Sequence, residues 1–440
     1  MGFLSRLIYN ILLCLGLVIL SPLWLAYLAS VPKARAGLKP KLGLYTDELK
    51  SQLSRKAKPR LWFHAVSVGE FNAIKTLIPH LSERYDVVIS TTTQTGQDLA
   101  LRTFPQLIVL YFPYDFPWVI TRVLRYIQPD LVVLTETELW PNFIHEVTRV
   151  RGVPLILING RLSQRSFKSY QWITPLIKPC LHEVTHLYMQ SQADADRMVR
   201  LGQLAPEQWT VAGNLKFDLI PTVDEDKQAQ LAHLLNIHRG DTVLTFASTH
   251  SGEDLPLLES YLSLKKDFPE LKLILAPRHP ERLAEIKTIL NNKAVAYAVR
   301  SQLSATHPNQ QDVLVLDSIG ELLTVYSLSS IAVMGGSFIE RGGQNPLEPL
   351  SQGIPVIFGP HMHNFSEISR LVIEGGAGTQ VHTQDELINA VTSLLTQPEI
   401  YQMVSEKGLQ LIENNRGAKA IILKAIENHL PAERLRESIP

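Results

Sequence analysis

The residues of this chain best suited to chemistry are carboxylates, cations and glycines placed where apolar runs end. Glu70 follows Gly69, just after the run from Leu61 to Val66. A carboxylate at such a turn can take a proton from a substrate hydroxyl, and it can equally be a first-turn glutamate favoured by the helix dipole. Glu136 and Glu138 stand in the stretch Thr135 to Asn142, directly behind the apolar run Leu131 to Leu134. Capping does not require both acids, because Asn142 or Thr137 would suffice. The pair can orient an acceptor or set the charge around a base, with the alternative that only one of the two faces the site.

Positive charge and backbone donors come from other strand ends. Lys216, in the segment Gly213 to Asp218, can stabilise charge on a leaving phosphate, although a lysine there can also be merely solvated. Arg278, behind Pro277, can grip a phosphate with two prongs. Further on, Ile331 to Met334 leads into Gly335-Gly336-Ser337, and Gly342-Gly343 leads into Asn345-Pro346-Leu347-Glu348. This predicts a buried strand, a glycine loop and a helix start, with Asn345 as N-cap, Pro346 in the first helical position and Glu348 three residues after the cap. Such an N-terminus offers N–H groups to an anion, while Asn-x-x-Glu is also a capping box with no further duty. Ser248 to Glu253 carries the same two readings. His250, His279, His361 and His363 lie on separate loops without ligand spacing, so a metal site is not expected.

The elements that must hold these residues form a repeating pattern. Leu61 to Val66, Val87 to Ile89, Leu107 to Tyr111, Leu131 to Leu134, Pro154 to Ile158, His186 to Met189 and Thr210 to Ala212 read as strands, with helical stretches between most of them. Thr242 to Ala247, Leu271 to Ala276, Val313 to Leu316, Ile331 to Met334 and Pro355 to Phe358 repeat the rhythm. Alternation of this kind predicts parallel α/β sheets, with ligands beyond the C-terminal strand ends. Two α/β halves with a cleft between them follow: 60–219 and 241–440, the second with closing helices, joined by a polar linker at 220–240.

Ahead of them, Leu7 to Pro32 carries no charge and is long enough to cross a bilayer as a helix. We take 1–32 as an uncleaved membrane anchor, because Lys33 and Arg35 crowd the small-x-small site at Ala34 to Ala36 that a leader would need. Segment 33–59 is basic: nine Lys or Arg fall between Lys33 and Arg60, against Asp47 and Glu48, and only Arg6 precedes the apolar run. That bias predicts a single-pass anchor with the body on the cytoplasmic side, near anionic lipid.

The 440 residues exceed one comfortable core, and Lys+Arg and Asp+Glu balance at 42 each, leaving no global field for nucleic acid. Cys14 and Cys180 alone cannot build a disulfide framework or a zinc site.

Taken in order, the segments HAVSVGE, TETELWPN, NGRLSQRS, GNLKFD, STHSGE, APRHPER, DSIGEL and GGQNPLEP resemble the bacterial 3-deoxy-D-manno-octulosonic acid (Kdo) transferases over nearly the whole chain. The resemblance implies a GT-B fold, two Rossmann-like domains facing a cleft. It also implies a glycosyltransferase that takes CMP-Kdo as donor and a lipid A precursor as acceptor, needs no metal or other cofactor, and sits at the inner membrane. It gives Glu70 the proton and makes Glu138 and Lys216 transition-state partners. CMP contacts fall on Pro277, Arg278, Ile319, Gly320, Glu321, Asn345, Pro346, Leu347 and Glu348. Ile319 and Gln344 depart from the methionine and histidine common in that family, which touches nucleotide contacts rather than the acid–base set. Two other readings stay open: a GT-B enzyme with a UDP- or GDP-sugar donor, and a membrane-anchored scaffold that binds nucleotide without turnover.

Overall fold

The computed structural model describes residues 3–30 and 37–430. The chain forms two compact units, Met1–Leu219 with Arg416–Pro440, and Ile220–Asn415. The end of the expected anchor, together with Lys33, Arg35 and the Ala34 to Ala36 site, lies outside the described residues.

The first unit opens with helix α1 (Phe3–Ser30) and contains a seven-stranded sheet. Its strands are β1 (Arg60–His64), β2 (Asp86–Thr91), β3 (Ile108–Tyr111), β4 (Leu131–Thr135), β5 (Leu155–Gly160), β6 (His186–Met189) and β7 (Trp209–Val211). All pairings are parallel, in the order β3-β2-β1-β4-β5-β6-β7. Every residue of β1, β4 and β5 is buried, as a sheet covered on both faces requires. Alternate residues feed two cores: Trp62, Val132 and Leu157 go to one, and Leu61, Phe63, Val133 and Ile158 to the other. The chain reverses its direction of travel between β1 and β4, so the loops behind these two strands border the switch point where α/β sheets bind ligands. Those loops carry Glu70 and the two acids Glu136 and Glu138.

The second unit repeats the plan with β8 (Val243–Thr249), β9 (Lys272–Pro277), β10 (Tyr297–Val299), β11 (Val313–Val315), β12 (Ile331–Met334), β13 (Val356–Phe358) and β14 (Gly378–Gln380). Its order, β10-β11-β9-β8-β12-β13-β14, puts the switch point between β8 and β12.

Several expectations change. The segment 220–240 is not a linker: its helix Glu225–Leu235 buries Leu231 and Leu235 against Val243 and Ile274 of the second unit. Nor does the second half keep everything to the end of the chain. Helix Ala418–His429 sets Ala418, Ile422 and Ile426 into the first unit's core. Asp218 ties down its start by accepting from Gly417 N and Lys419 N at 2.8 and 2.7 Å. Arg60, counted among the basic residues near the membrane, is buried and structural. It donates to Asp86 and to the carbonyls of Leu53 and Ile127, closing two helix ends over the first residue of β1. β10 and β14 escaped the sequence reading because they are short, half-buried edge strands without a continuous apolar run.

The Gly335 step after β12 is sterically fixed. A Cβ there would lie 2.5 Å from the Ser248 carbonyl oxygen and 2.7 Å from Thr249 Cα, both backbone atoms. Gly335→Ala should therefore destabilise the second unit by roughly 1–3 kcal/mol, lowering its calorimetric transition by roughly 2–10 °C. An unchanged melting profile would show that the β8 end yields without strain.

Candidate active site

Behind β1 the chain runs through Val66 and Ser67 into the short helix Val68–Ile74, and Glu70 is its third residue. The side chain turns back toward the strand end: Oε2 accepts from Val66 N at 2.8 Å and Oε1 from the Ser67 hydroxyl at 3.3 Å. Burial pushes the Glu70 carboxyl up to about 8, the charges of Glu136 and Glu138 push the same way, and the two hydrogen bonds only partly oppose them. This carboxyl is therefore poised to exchange its proton near neutral to mildly basic pH.

The β4 loop brings both acids into play. Glu136 occupies the left-handed region at φ 61°, unusual for a residue with a side chain, and its N–H still donates to Ile158 O at 2.9 Å. Its carboxylate pairs with Arg161 Nε at 2.7 Å and faces Lys216 Nζ at 3.7 Å. Glu138 accepts from the Trp140 indole at 2.8 Å, and burial lifts its carboxyl to about 7, with the Glu136 charge adding to the rise. Both acids lie near enough to Glu70 for their charges to raise its carboxyl.

Lys216 is placed by a buried amide network that the sequence reading passed over. Asn214 Oδ1 accepts from Lys216 N, and Asn214 Nδ2 donates to Gln190; Gln190 donates in turn to the Asn159 carbonyl, while Asn159 Oδ1 accepts from Leu215 N. Asn159 also adopts positive φ, at 52°, at the end of β5. Its place in Asn159-Gly160-Arg161, at a strand end, was the available signal, and Arg161 was missed with it. Three carboxyls and two cations thus gather in the first unit, the cations flanking Glu136 and the other two acids remaining half-neutralised near pH 7–8.

The second unit holds the remaining predicted residues. Glu253, just before the helix Asp254–Asp267, ties the switch-point loops together: its Oε1 accepts from His250 N at 2.7 Å and Gly336 N at 2.6 Å. Gln344 meets His250 Nε2 at 3.1 Å, and the His250 and His279 rings cross at 5.7 Å. Pro277 closes β9, and the exposed Arg278 donates its N–H to Thr249 O at 2.9 Å. Burial raises the Glu348 carboxyl, while hydrogen bonding from Asn345 and the Arg278 charge pull it back, so Arg278 and Glu348 act on one patch. Glu321 is already held by Arg300 at 2.7 Å and by Ser318. Its neighbours Ile319, fully exposed, and Gly320, at φ 92°, present backbone.

One expectation fails here. Asn345 is not an N-cap and Pro346 is not the first helical residue. The helix is a single turn, Leu347–Leu350, and Asn345 instead closes a local turn by accepting from Leu347 N while donating to Glu348. A single turn builds almost no dipole, so this helix start by itself draws an anion only weakly. A cavity of about 180 Å³ lies beside these loops, lined by Gly252, Glu253, Phe338, Ile339 and His382. Arg278 and Glu348 do not line it: Arg278 is exposed and Glu348 half-buried. Among the described residues no three His, Cys, Asp or Glu side chains are grouped to hold a metal.

Residues 36–219 match the family model described as 3-deoxy-D-manno-octulosonic-acid transferase (kdotransferase). The chain is similar to the 3-deoxy-D-manno-octulosonic acid transferase of Haemophilus influenzae, 33% identical over 424 residues, which span 94% of this chain and 97% of that one. It is also 33% identical to the protein of that name from Bordetella pertussis over 381 residues, 84% of this chain and 87% of the relative. Among solved structures it resembles a UDP-GlcNAc 2-epimerase from Neisseria meningitidis bound to UDP-GlcNAc, with a TM-score of 0.54. That match covers 84% of this chain and all of the other at 14% identity, and bears on the fold alone.

Two outcomes follow from the carboxyl cluster. Glu136→Gln removes a neighbouring negative charge, so the Glu70 carboxyl, followed by the NMR shift of its side-chain carbon, should titrate at lower pH. A midpoint left in place would mean that Glu136 is screened from Glu70. Stability should depend on the same proton. A carboxyl whose pKa is raised from about 4.5 unfolded to about 8 folded weakens the fold progressively as pH rises through that window, and the full penalty is present above it. Glu70→Gln should then melt higher than the parent at pH 8.5 and nearly level with it at pH 4.5, the gap being on the order of a few kcal/mol at most. A gap that does not depend on pH would remove ionisation of Glu70 as its cause.

Proposed function

Because this chain belongs to the 3-deoxy-D-manno-octulosonic acid (Kdo) transferase family, we propose that it transfers Kdo from CMP-Kdo to a lipid A precursor in lipopolysaccharide biosynthesis, with Glu70 as general base. The observation that carries the reading is Glu70 itself, a buried carboxyl with raised proton affinity at a sheet switch point, flanked by two further acids.

In this reading the Glu70 carboxylate takes the proton of the acceptor hydroxyl as its oxygen bonds to the anomeric carbon. The bond from that carbon to the phosphate oxygen breaks, and its electron pair leaves with CMP. One base and direct displacement give inversion. Glu138, fixed by Trp140, and Lys216, fixed by the amide network, assist the transition state. On the donor side, Arg278 takes the phosphate and Glu348 accepts from ribose hydroxyls. Pro277, Ile319, Gly320, Glu321, Asn345, Pro346 and Leu347 complete the CMP contacts, mostly through backbone. No metal or other cofactor is required, since cationic side chains take the phosphate charge. The apolar helix α1 and the basic residues after it support attachment to the inner membrane through anionic lipid, with the body on the cytoplasmic side.

Purified protein should transfer Kdo from CMP-Kdo to a tetraacylated lipid A precursor, and Glu70→Ala should lower turnover by about 10²–10⁴-fold. Mass spectrometry of the product counts the sugars added. CMP, not UDP or GDP, should protect the protein against thermal unfolding. Better protection by UDP would move the donor to another nucleotide sugar, and nucleotide protection without transfer to any acceptor would leave a binding scaffold.

A further inference from the structure

Two polar side chains near its start tie α1 to the first unit. The Tyr9 hydroxyl donates to Asp115 at 2.8 Å, and the amides of Asn10 and Asn142 exchange two hydrogen bonds, at 2.8 and 3.1 Å. The receiving residues are themselves well anchored. Asp115 accepts from Asn142 N and Phe143 N in the first turn of the helix Pro141–His145, immediately behind Glu138 and Trp140. Over the first turns of α1 burial follows the helical repeat: Ser5, Arg6, Tyr9, Asn10 and Leu13 are half-buried on one side, whereas Ile8, Ile11 and Leu15 are exposed on the other, and from Leu17 to Leu20 every residue is exposed.

This docking conflicts with a helix that crosses a bilayer. A crossing anchor has its first turns on the far side of the membrane from the body, but here the first turns lie on the body. The chain also comes back to the same loop: Gly37 packs beside Tyr111, and Lys41 O accepts from Tyr114 N, next to Asp115. From Asn10 to Ser30 the helix covers about 30 Å. The seven steps from Ser30 to Gly37 can span at most about 25 Å, and they carry Lys33 and Arg35. To cross and return, those cations and their backbone would have to re-enter hydrocarbon without partners. The surroundings suit a headgroup layer instead. Exposed Trp118 lies three residues beyond Asp115 with the Arg122 guanidinium 5.5 Å from its ring, and Lys41 sits over Tyr111 at 5.3 Å.

We propose that α1 does not cross the bilayer but lies along one leaflet, its apolar side in the acyl chains of an anionic membrane and its polar side latched to the first unit through Tyr9 and Asn10. The latch sits on the helix that follows the Glu138 loop, so it holds that loop at the membrane surface.

The test uses the full chain with a short neutral epitope ahead of Met1 and does not depend on transferase activity. Protease added to intact spheroplasts should leave the epitope whole, and protease added to inside-out vesicles should remove it; the reverse pattern overturns the proposal. The latch is read by Asn10→Cys with Asn142→Cys in a Cys14→Ala background. Mild oxidation of membranes should give a reducible shift in gel mobility, and a membrane-bound variant with no shift would remove the latch. The occupant is read by Leu15→Cys, which a photoactivatable phospholipid in phosphatidylglycerol vesicles should label. Disulfides between two chains at Leu15→Cys, without lipid labelling, would give the face to a second copy and overturn the lipid assignment.

Discussion

Withdrawal of the Glu70 carboxyl from water is the constraint on which the first unit's site depends. An isolated carboxylate at the end of a buried strand is unfavourable, and the protein offsets that with only two hydrogen bonds, from Val66 N and Ser67 Oγ. It then brings Glu136 and Glu138 close enough for their charges to disfavour ionisation further. The arrangement is tolerable because Glu136 is itself held by Arg161 and Lys216, so the negative charge next to Glu70 is moderated but not cancelled. A site built only to be stable would pair Glu70 directly with a cation, which would lower its proton affinity.

Positive backbone angles make that arrangement possible. Glu136 and Asn159 both leave their strands in the left-handed region, and each points its side chain at the Lys216 turn. One supplies charge and the other a hydrogen bond. Held at both ends, the lysine keeps its ammonium near the acids despite sitting on a single 3-10 turn. Asp218, at the end of the same turn, reaches the helix Ala418–His429, so the last part of the chain braces the segment that carries Lys216.

Much of this was legible in the sequence, for physical reasons that differ by element. Central strands such as β1, β4 and β8 announce themselves as continuous apolar runs because they are covered on both faces. Glu70, Glu138 and Arg278 stood out because they follow such runs, and Lys216 because its segment ends the first half of the pattern. Edge strands β10 and β14 did not, since a half-covered strand of three residues has no distinctive pattern. The helix expected at Asn345 misled for another reason: Asn-Pro-Leu-Glu satisfies the rules for a helix start, but Pro349 has no N–H to give the Asn345 carbonyl, and the turn at Gly353 stops the chain from continuing as helix. The return of Ala418–His429 to the first unit could not be read from local pattern, because an amphipathic helix shows that it has a partner and not which one.

Three buried carboxyls in this chain use one device, and comparing them separates the proposed base from two clamps. Asp115, raised to about 7 by burial, spends its oxygens on Asn142 N, Phe143 N and the Tyr9 hydroxyl, all of which hold segments in place. Glu253 likewise binds two backbone N–H groups from different loops. Glu70 has fewer donors than Asp115, binds only its own turn, and answers to two neighbouring carboxyls. Burial alone therefore does not single out the proposed base. What sets Glu70 apart is a raised proton affinity in a group that ties no distant segments together, so that its proton can leave and return without loosening the fold.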